Sequence, residues 1–322
     1  MAKVVQRWPA SMEGSQNVLW RCVAIAQTLL WFFGLPLLCK PYWESFWGHP
    51  LLSHPLTKQV LLNEMGFLYF ATACMLMVPI YSLNLPFFEQ YRITDASNYG
   101  GKTDDFDFRS ERKEVRSRFW ELTRKSVFLY LFNYGILVPV LTVGKYFVLG
   151  DNMSFSTEDW PTYEELAVQN IALTLIHEFG FYWSHRLAHI PSLYRFHKVH
   201  HEYKQNTIMA SMHEHPIDYI ITIAGPALLS VVIVQPHSFT LFQWIAWLIV
   251  ANIDDHCGYE FPWSPVRWFY MAGGTDMHEY HHSGNMGCYA SKLALYDVAF
   301  DSKRHWQNWR ERRLKTPSLS KG

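Results

Sequence analysis

From Glu178 to His201 the chain reads Glu-Phe-Gly-Phe-Tyr-Trp-Ser-His-Arg-Leu-Ala-His-Ile-Pro-Ser-Leu-Tyr-Arg-Phe-His-Lys-Val-His-His. Five imidazoles fall in this stretch: His185 and His189 at i, i+4, then His197, His200 and His201 at i, i+3, i+4. With ~3.6 residues per helical turn, each set shares one face of a helix. A short turn at Pro191 lets the two faces converge. Neutral imidazole is the commonest metal ligand, and five uncoordinated rings would repel one another once protonated. Downstream, His278, His281 and His282 repeat the i, i+3, i+4 spacing. His215 stands in His-Glu-His-Pro and His256 in Asp-Asp-His-Cys-Gly-Tyr-Glu. These ten are drawn from sixteen histidines in all. A structural zinc takes four ligands, so ten suit two ions, and imidazole-rich sites favour Fe, Zn or Cu.

Glu178, Tyr182, His185 and His189 form one helical stripe, in steps of four, three and four. An ionisable side chain inside an apolar span is costly and usually functional. Glu178 is therefore expected to accept a hydrogen bond that orients a ligand histidine, with a simple ion pair as the alternative. His177 lies about 100° around the helix from Glu178 and is set aside, as is His213 beside His215. His49 and His54 have no partner at helical spacing. Asp276 followed by Glu279 reads as a helix cap with an acid three residues on, placing His278 to His282 in the first turns of a helix. Asp254 and Asp255 are candidate carboxylates behind His256, or a solvated loop. The five cysteines form no CxxC pair. Cys257 and Cys288 lie near the histidines as potential soft ligands, for which ten imidazoles leave little need.

The elements that must position these residues are apolar. The 322 residues carry no net charge, with 49% hydrophobic and 17% charged side chains, arranged in long blocks that indicate an all-α polytopic membrane protein. Balanced charge argues against a nucleic-acid binder. Spans of the ~30 Å hydrocarbon core are expected at 19–38, 65–85, 126–144 and 166–185, the last ending in the first histidine pair. The first reads as an anchor rather than a cleavable signal, since it is long and lacks an Ala-x-Ala site. The block 217–250 is expected to form a hairpin turning at Pro236, its arms spanning or re-entrant. The polar loop 86–118, with Lys102, Arg109, Arg112, Lys113, Arg116 and Arg118, belongs on the cytosolic side, and the acidic 150–165 loop on the other. Counting spans then brings every histidine group to the cytosolic face, with the basic tail from Lys303 to Lys315. The expected organisation is a tail and two spans over 1–90, a catalytic region over 91–302 and a cytosolic tail over 303–322.

His-Arg-Leu-Ala-His, His-Lys-Val-His-His and His-Glu-Tyr-His-His together resemble the three histidine boxes of the fatty acid hydroxylase and sterol desaturase superfamily. The C4-methyl sterol oxidase branch matches more closely, with Phe181-Tyr-Trp-Ser-His-Arg, Gly258-Tyr-Glu-Phe-Pro-Trp263 and Tyr289-Ala-Ser291. Tyr296-Asp297 stands where that family has Trp-Asp, Cys288 where it has Asn, and Asp301-Ser302 where it has Gly-Thr. None of these removes a box histidine. The resemblance, over roughly residues 91–302, implies two Fe ions (or Zn as purified) held by the ten histidines. It also implies use of O2 on a lipid C–H bond and residence in the endoplasmic reticulum membrane. No side chain attacks an unactivated C–H bond, so the chemistry is the cofactor's. Neither a His-Pro-Gly-Gly haem signature nor a GxGxxG fingerprint occurs. Electrons from NAD(P)H would therefore enter through a separate partner, cytochrome b5 or its reductase, at the basic surface. The implied substrate is a sterol bearing a 4-methyl group. A fatty-acid or sphingolipid hydroxylase and a C5 desaturase are alternatives, and a non-catalytic metal-binding scaffold is a third reading.

Overall fold

The computed structural model describes residues 15–83, 85–93, 113–150, 152–204, 206–266 and 273–315. Most of the basic 86–118 loop lies outside them. The described chain is helical, with no strand among the described residues beyond a single bridge between Arg92 and Tyr259.

Six helical passages run between two ends of the molecule. The first is α1 (Ser15–Leu29) continued through a π-turn (Leu30–Gly34) into α2 (Leu35–Trp47). α3 (Pro55–Leu83) returns, and a short α4 (Pro86–Glu89) follows. α5 (Lys113–Phe132) continues through a second π-turn (Asn133–Leu137) into α6 (Val138–Leu149). Then comes α7 (Tyr163–Ala188), capped at Thr162 by a reciprocal box with Glu165. After α8 (Pro191–His197), α9 (Pro216–Tyr219) passes through a third π-turn (Ile220–Ala224) into α10 (Gly225–Val234). α11 (Ser238–His256) closes the bundle. Beyond it lie α12 (Thr275–Gly284), α13 (Leu295–Ala299) and α14 (Arg304–Lys315).

Each π-turn ends two residues before a proline: Pro36, Pro139 and Pro226. Proline cannot donate to the carbonyl four residues back and its ring crowds that carbonyl. A widened turn relieves both problems without breaking the passage.

Four stretches are long and apolar enough to cross a membrane: Val18–Trp47, Pro55–Leu83, Lys113–Leu149 and Pro216–Val234. Their outer faces present side chains such as Leu38, Met75, Leu76, Phe147 and Val148, each more than two-thirds exposed, as a lipid-facing surface requires. The stretch 166–185, expected as a span, is helical but outside this set, because Gln169, Asn170, His177 and Glu178 dilute it. These polar groups are tolerated because Asn170, His177 and Glu178 lie on the buried face of α7, while Val168, Ile171, Leu175 and Phe179 form its exposed apolar face. The expected hairpin forms: α10 and α11 meet at a turn holding Gln235 in the left-handed region (φ 48°), followed by Pro236.

The two ends differ in chemistry. One is closed by a buried aromatic cluster of Trp43, Trp47, Phe239 and Phe242, with the half-buried Trp160 packed against it. Over it the 152–162 loop packs on the hairpin turn, the Ser238 N–H donating to the Ser154 carbonyl at 3.0 Å. The other end carries the histidines.

Candidate metal centre

α7 and α11 run in the same direction, and their ends set the positions of the first imidazoles. His185 is on the last turn of α7, with His189 one turn beyond, and His256 is the last residue of α11. Pro191 starts α8, which delivers His197. A single 3₁₀ turn carries His200 and His201, and α12 carries His278, His281 and His282. The side chains sort into two groups. His185, His189, His197, His201 and His281 form one; His200, His256, His278 and His282 form the other. Within each, one nitrogen per ring lies within 4.8 Å of all the rest. All are buried except His189, which is half-buried.

The hydrogen bonds fix which nitrogen faces inward. Nδ1 of His185 donates to the Tyr289 carbonyl at 2.9 Å and Nδ1 of His281 to that of Gly287 at 2.6 Å. His256 donates to Asn252 at 2.9 Å and His282 to Tyr203 at 3.0 Å. His197 donates to the Asp218 carboxylate at 2.9 Å. Five rings are thereby held with the Nε2 lone pair free, the form a metal takes.

Those lone pairs face one another. Nε2 of His197 lies 3.1 Å from Nε2 of both His185 and His201. Nε2 of His278 lies 2.8 Å from His256 and 3.1 Å from His282. Metal–nitrogen bonds of 2.0–2.1 Å place neighbouring ligands about 2.9 Å apart at right angles and about 3.4 Å apart in a tetrahedron. The observed separations match ligands around a common ion, nearer the right-angle limit. The buried Nε2 atoms of His189 and His281 have no protein partner, which a metal bond would satisfy. The donor set therefore fits two metal ions, one per group.

Electrostatics point the same way. Burial, and then neighbouring imidazoles, hold His200, His201, His278 and His281 well below the ordinary histidine range. Their neutral, ligating form thus persists at physiological pH. Burial pushes Glu279 up to about 8, against the Asn206 N–H that donates to it.

Nine of the ten candidate ligands come together; His215 does not. It precedes α9, where its Nδ1 accepts from the Ile217 N–H at 3.2 Å and its ring lies against Phe196. The preceding His213 is fully buried, but it bonds Ser126 and Glu202 rather than the groups. Glu178 contacts no ligand histidine. Its carboxylate accepts from the backbone N–H of Lys292 at 2.9 Å and of Leu293 at 3.2 Å, so it pins the segment beside Tyr289 instead. Asp255 pairs with Lys292 at 3.4 Å. The expected cap at Asp276 is displaced: α12 starts at Thr275, and Glu279 turns to Asn206. Neither Cys257 nor Cys288 joins a group. Asp218 escaped sequence reading, since an acid at the mouth of an apolar block resembles any solvated loop acid.

The segment 287–293 is the frame of the first group. Two of its carbonyls hold His185 and His281, and Asp297 accepts from the N–H of Tyr289 and Ala290, both at 2.9 Å. Gly287 is at φ +70°, where an added Cβ would stand 2.3 Å from the Ser302 carbonyl, so only glycine fits there.

A cavity of about 220 Å³ opens on both groups, reaching His185 and His197 of the first and His200, His256 and His278 of the second. It extends along α3, α6, α10 and α11 to Gln59 and Lys145. Gly66 packs on Ile245 and Ile249. Gln59 lies seven residues before Gly66, and His256 seven after Ile249, so about 20 Å of helix separates the two ends. Between them the lining is mostly apolar, including Phe181, Leu228, Trp244, Ile245 and Leu248.

Comparison with known proteins agrees with this geometry. The fatty acid hydroxylase family model matches residues 170–302, the region holding every histidine of both groups. Methylsterol monooxygenase 2-2 of Arabidopsis thaliana is 33% identical over 201 residues, 58% of this chain and 70% of that protein. Very-long-chain aldehyde decarbonylase GL1-11 of Oryza sativa subsp. indica is 33% identical over 191 residues, 56% and 68% respectively. Methylsterol monooxygenase 1 of Gallus gallus is 26% identical over 211 residues, 65% and 70%. No solved structure matches. With its box histidines gathered at the mouth of an apolar cavity, the chain belongs to the fatty acid hydroxylase family and is a membrane-bound lipid monooxygenase.

Proposed function

We propose that this enzyme hydroxylates a 4-methyl group of a sterol, using O2 and electrons delivered by a separate protein. The observation that carries the reading is the long apolar cavity ending on both histidine groups. It suits an extended lipid lying along the bundle axis with one end at the metals. The methylsterol monooxygenases among the relatives direct the choice toward a sterol. Iron bound by the nine histidines would supply the activation of O2 that an unactivated C–H bond demands. The chain's own contribution is to fix ring orientation through Tyr289, Gly287, Asn252, Tyr203 and Asp218, and to keep water from the reacting end. We further infer an endoplasmic reticulum location with the histidine end cytosolic. Cytochrome b5 or its reductase would dock on that face, near the basic 86–118 loop and the tail. Glu178 serves as a positioning residue for the 291–293 backbone rather than for a ligand ring.

The test is NAD(P)H-dependent O2 consumption by the iron-loaded protein, reconstituted with cytochrome b5 and its reductase. A 4,4-dimethyl sterol should give a product gaining one oxygen on a 4-methyl carbon. A product hydroxylated or desaturated elsewhere would replace the sterol C4 reading. The rice aldehyde decarbonylases support a second reading, a very-long-chain aldehyde substrate, which the same assay with a long-chain aldehyde distinguishes.

A further inference from the structure

The two ends of the cavity treat their polar groups differently. At the end away from the metals, Lys145 donates to Gln59 at 3.1 Å and Asn63 to Thr142 at 2.9 Å. Those side chains bond one another and tie α3 to α6. Nearer the histidines, two polar groups line the cavity with bonding capacity left over. The His177 side chain is 5% exposed, held between Trp244 and Phe181. Its buried Nδ1 has no hydrogen-bond partner, the Glu178 carboxylate standing off at 4.0 Å. Lys292 has three N–H donors on Nζ, and among the described residues a single bond from it, to Asp255 at 3.4 Å. Its side chain is 13% exposed, and its backbone N–H is fixed by the fully buried Glu178. Lys292 and His177 both line the cavity, with Asp255 and His256 beside them.

A cation and an unsatisfied imidazole on the wall of an apolar channel are expensive unless the ligand completes them. Neither residue belongs to a metal group. We propose that His177 and Lys292 form a subsite for an oxygen substituent of the lipid, a hydroxyl or carboxylate carried close to the carbon that is oxidised. Lys292 donates to that oxygen. His177 donates or accepts according to whether the substituent is a carboxylate or a hydroxyl. Glu178 and Asp255 hold the lysine in place, which explains why a buried glutamate is spent on two backbone N–H groups. The subsite sets polarity of binding: the oxygenated end of the lipid enters toward the metals and its apolar remainder lies toward α6. This inference rests on the reading of the cavity as the lipid site.

The experiment measures binding rather than turnover. Zinc-loaded protein in phosphatidylcholine nanodiscs is titrated with two lipid pairs: a 4,4-dimethyl 3-hydroxysterol against its 3-deoxy counterpart, and a very-long-chain primary alcohol against the alkane of equal length. The wild-type protein should favour the oxygenated member by about tenfold or more, the effect of one hydrogen bond to a charged donor. Lys292→Met and His177→Phe should each bring that preference to within about twofold, and Lys292→Arg should retain part of it. Zinc content is matched throughout. Where Lys292→Met fails to fold, His177→Phe, which breaks no ion pair, carries the test. A preference confined to the long-chain pair would keep the subsite and remove the sterol reading. Equal binding of both members by the wild type, a preference that survives both variants, or no binding of any of the four lipids would overturn the subsite.

Discussion

Asp218 offers the sharpest probe of the metal centre, because it touches one ligand and no metal. Its buried carboxylate accepts from Nδ1 of His197 at 2.9 Å. His197 is the ring whose Nε2 stands 3.1 Å from two other ligands of its group. Asp218→Ala frees that ring to rotate or to adopt the other tautomer. Losing such a support typically costs 10–100-fold in metal affinity, or about 1.4–2.8 kcal/mol at about 1.4 kcal/mol per tenfold. Asp218→Asn keeps an acceptor oxygen but loses the charge. Charge-assisted bonds are roughly twice as strong as neutral ones, so Asn should recover about half of the loss. The assay is zinc competition against a chromophoric chelator at neutral pH, with circular dichroism to check folding. Affinity should fall at one of two sites, leaving the site of His200, His256, His278 and His282 unaffected. His215→Ala, which lies outside both groups, should match the wild type. The reasoning is refuted if Asp218→Ala binds both metals within about twofold of wild type while His197→Ala does not.

Four further outcomes are expected. Purified protein should hold about two metal equivalents by elemental analysis, and folded protein with one or none would contradict the two-group geometry. His200→Ala and His281→Ala should each abolish turnover of a working lipid, whereas His49→Ala should leave it within a few fold. Gly180 faces Pro226, where an added Cβ would lie 3.1 Å from the ring. Gly180→Leu should therefore part α7 from α10 and cost about 1–3 kcal/mol in thermal stability; an unchanged melting temperature would show that the crossing yields. Burial lowers His213 from 6.5 to about 4, against the opposing pull of Glu202. The unfolded chain then takes up the proton first, and stability falls as pH drops from about 6.5 towards 4, by at most about 1.4 kcal/mol per pH unit. His213→Gln should flatten that part of a melting-temperature profile, and an identical acid limb would show that His213 is not buried neutral.

Eight of the nine histidines that gather were legible because i, i+3 and i, i+4 spacing brings side chains onto one face, whereas His256 has no partner at such spacing. His215 misled because proximity to a proline-initiated apolar block resembles box placement, yet that proline starts α9 and turns the ring toward Phe196. The partners of Nδ1 were mostly illegible. Four of the five are backbone carbonyls, and a carbonyl has no residue signature. Glu178 was recognised as purposeful by its cost, but its target was a backbone segment more than a hundred residues away. The helical passages followed from apolar blocks, and the hairpin from Pro236. The π-turns at Pro36, Pro139 and Pro226 had a signal in the prolines themselves, though proline alone does not say whether a helix bends, widens or stops.

The frame at 287–293 bears on how the protein is made. His185 leaves the ribosome 104 residues ahead of Tyr289, whose carbonyl orients it, and at 5–20 residues per second that interval is about 5–20 s. His281 waits on Gly287 in the same segment. Throughout this time the first imidazoles exist without their orienting carbonyls, so the nascent chain has histidines but no finished metal cage. Completion of the first histidine group is thereby tied to synthesis of the 287–293 segment, which follows the six helical passages. A truncation short of Gly287 would leave the helical bundle without the two carbonyls that orient His185 and His281.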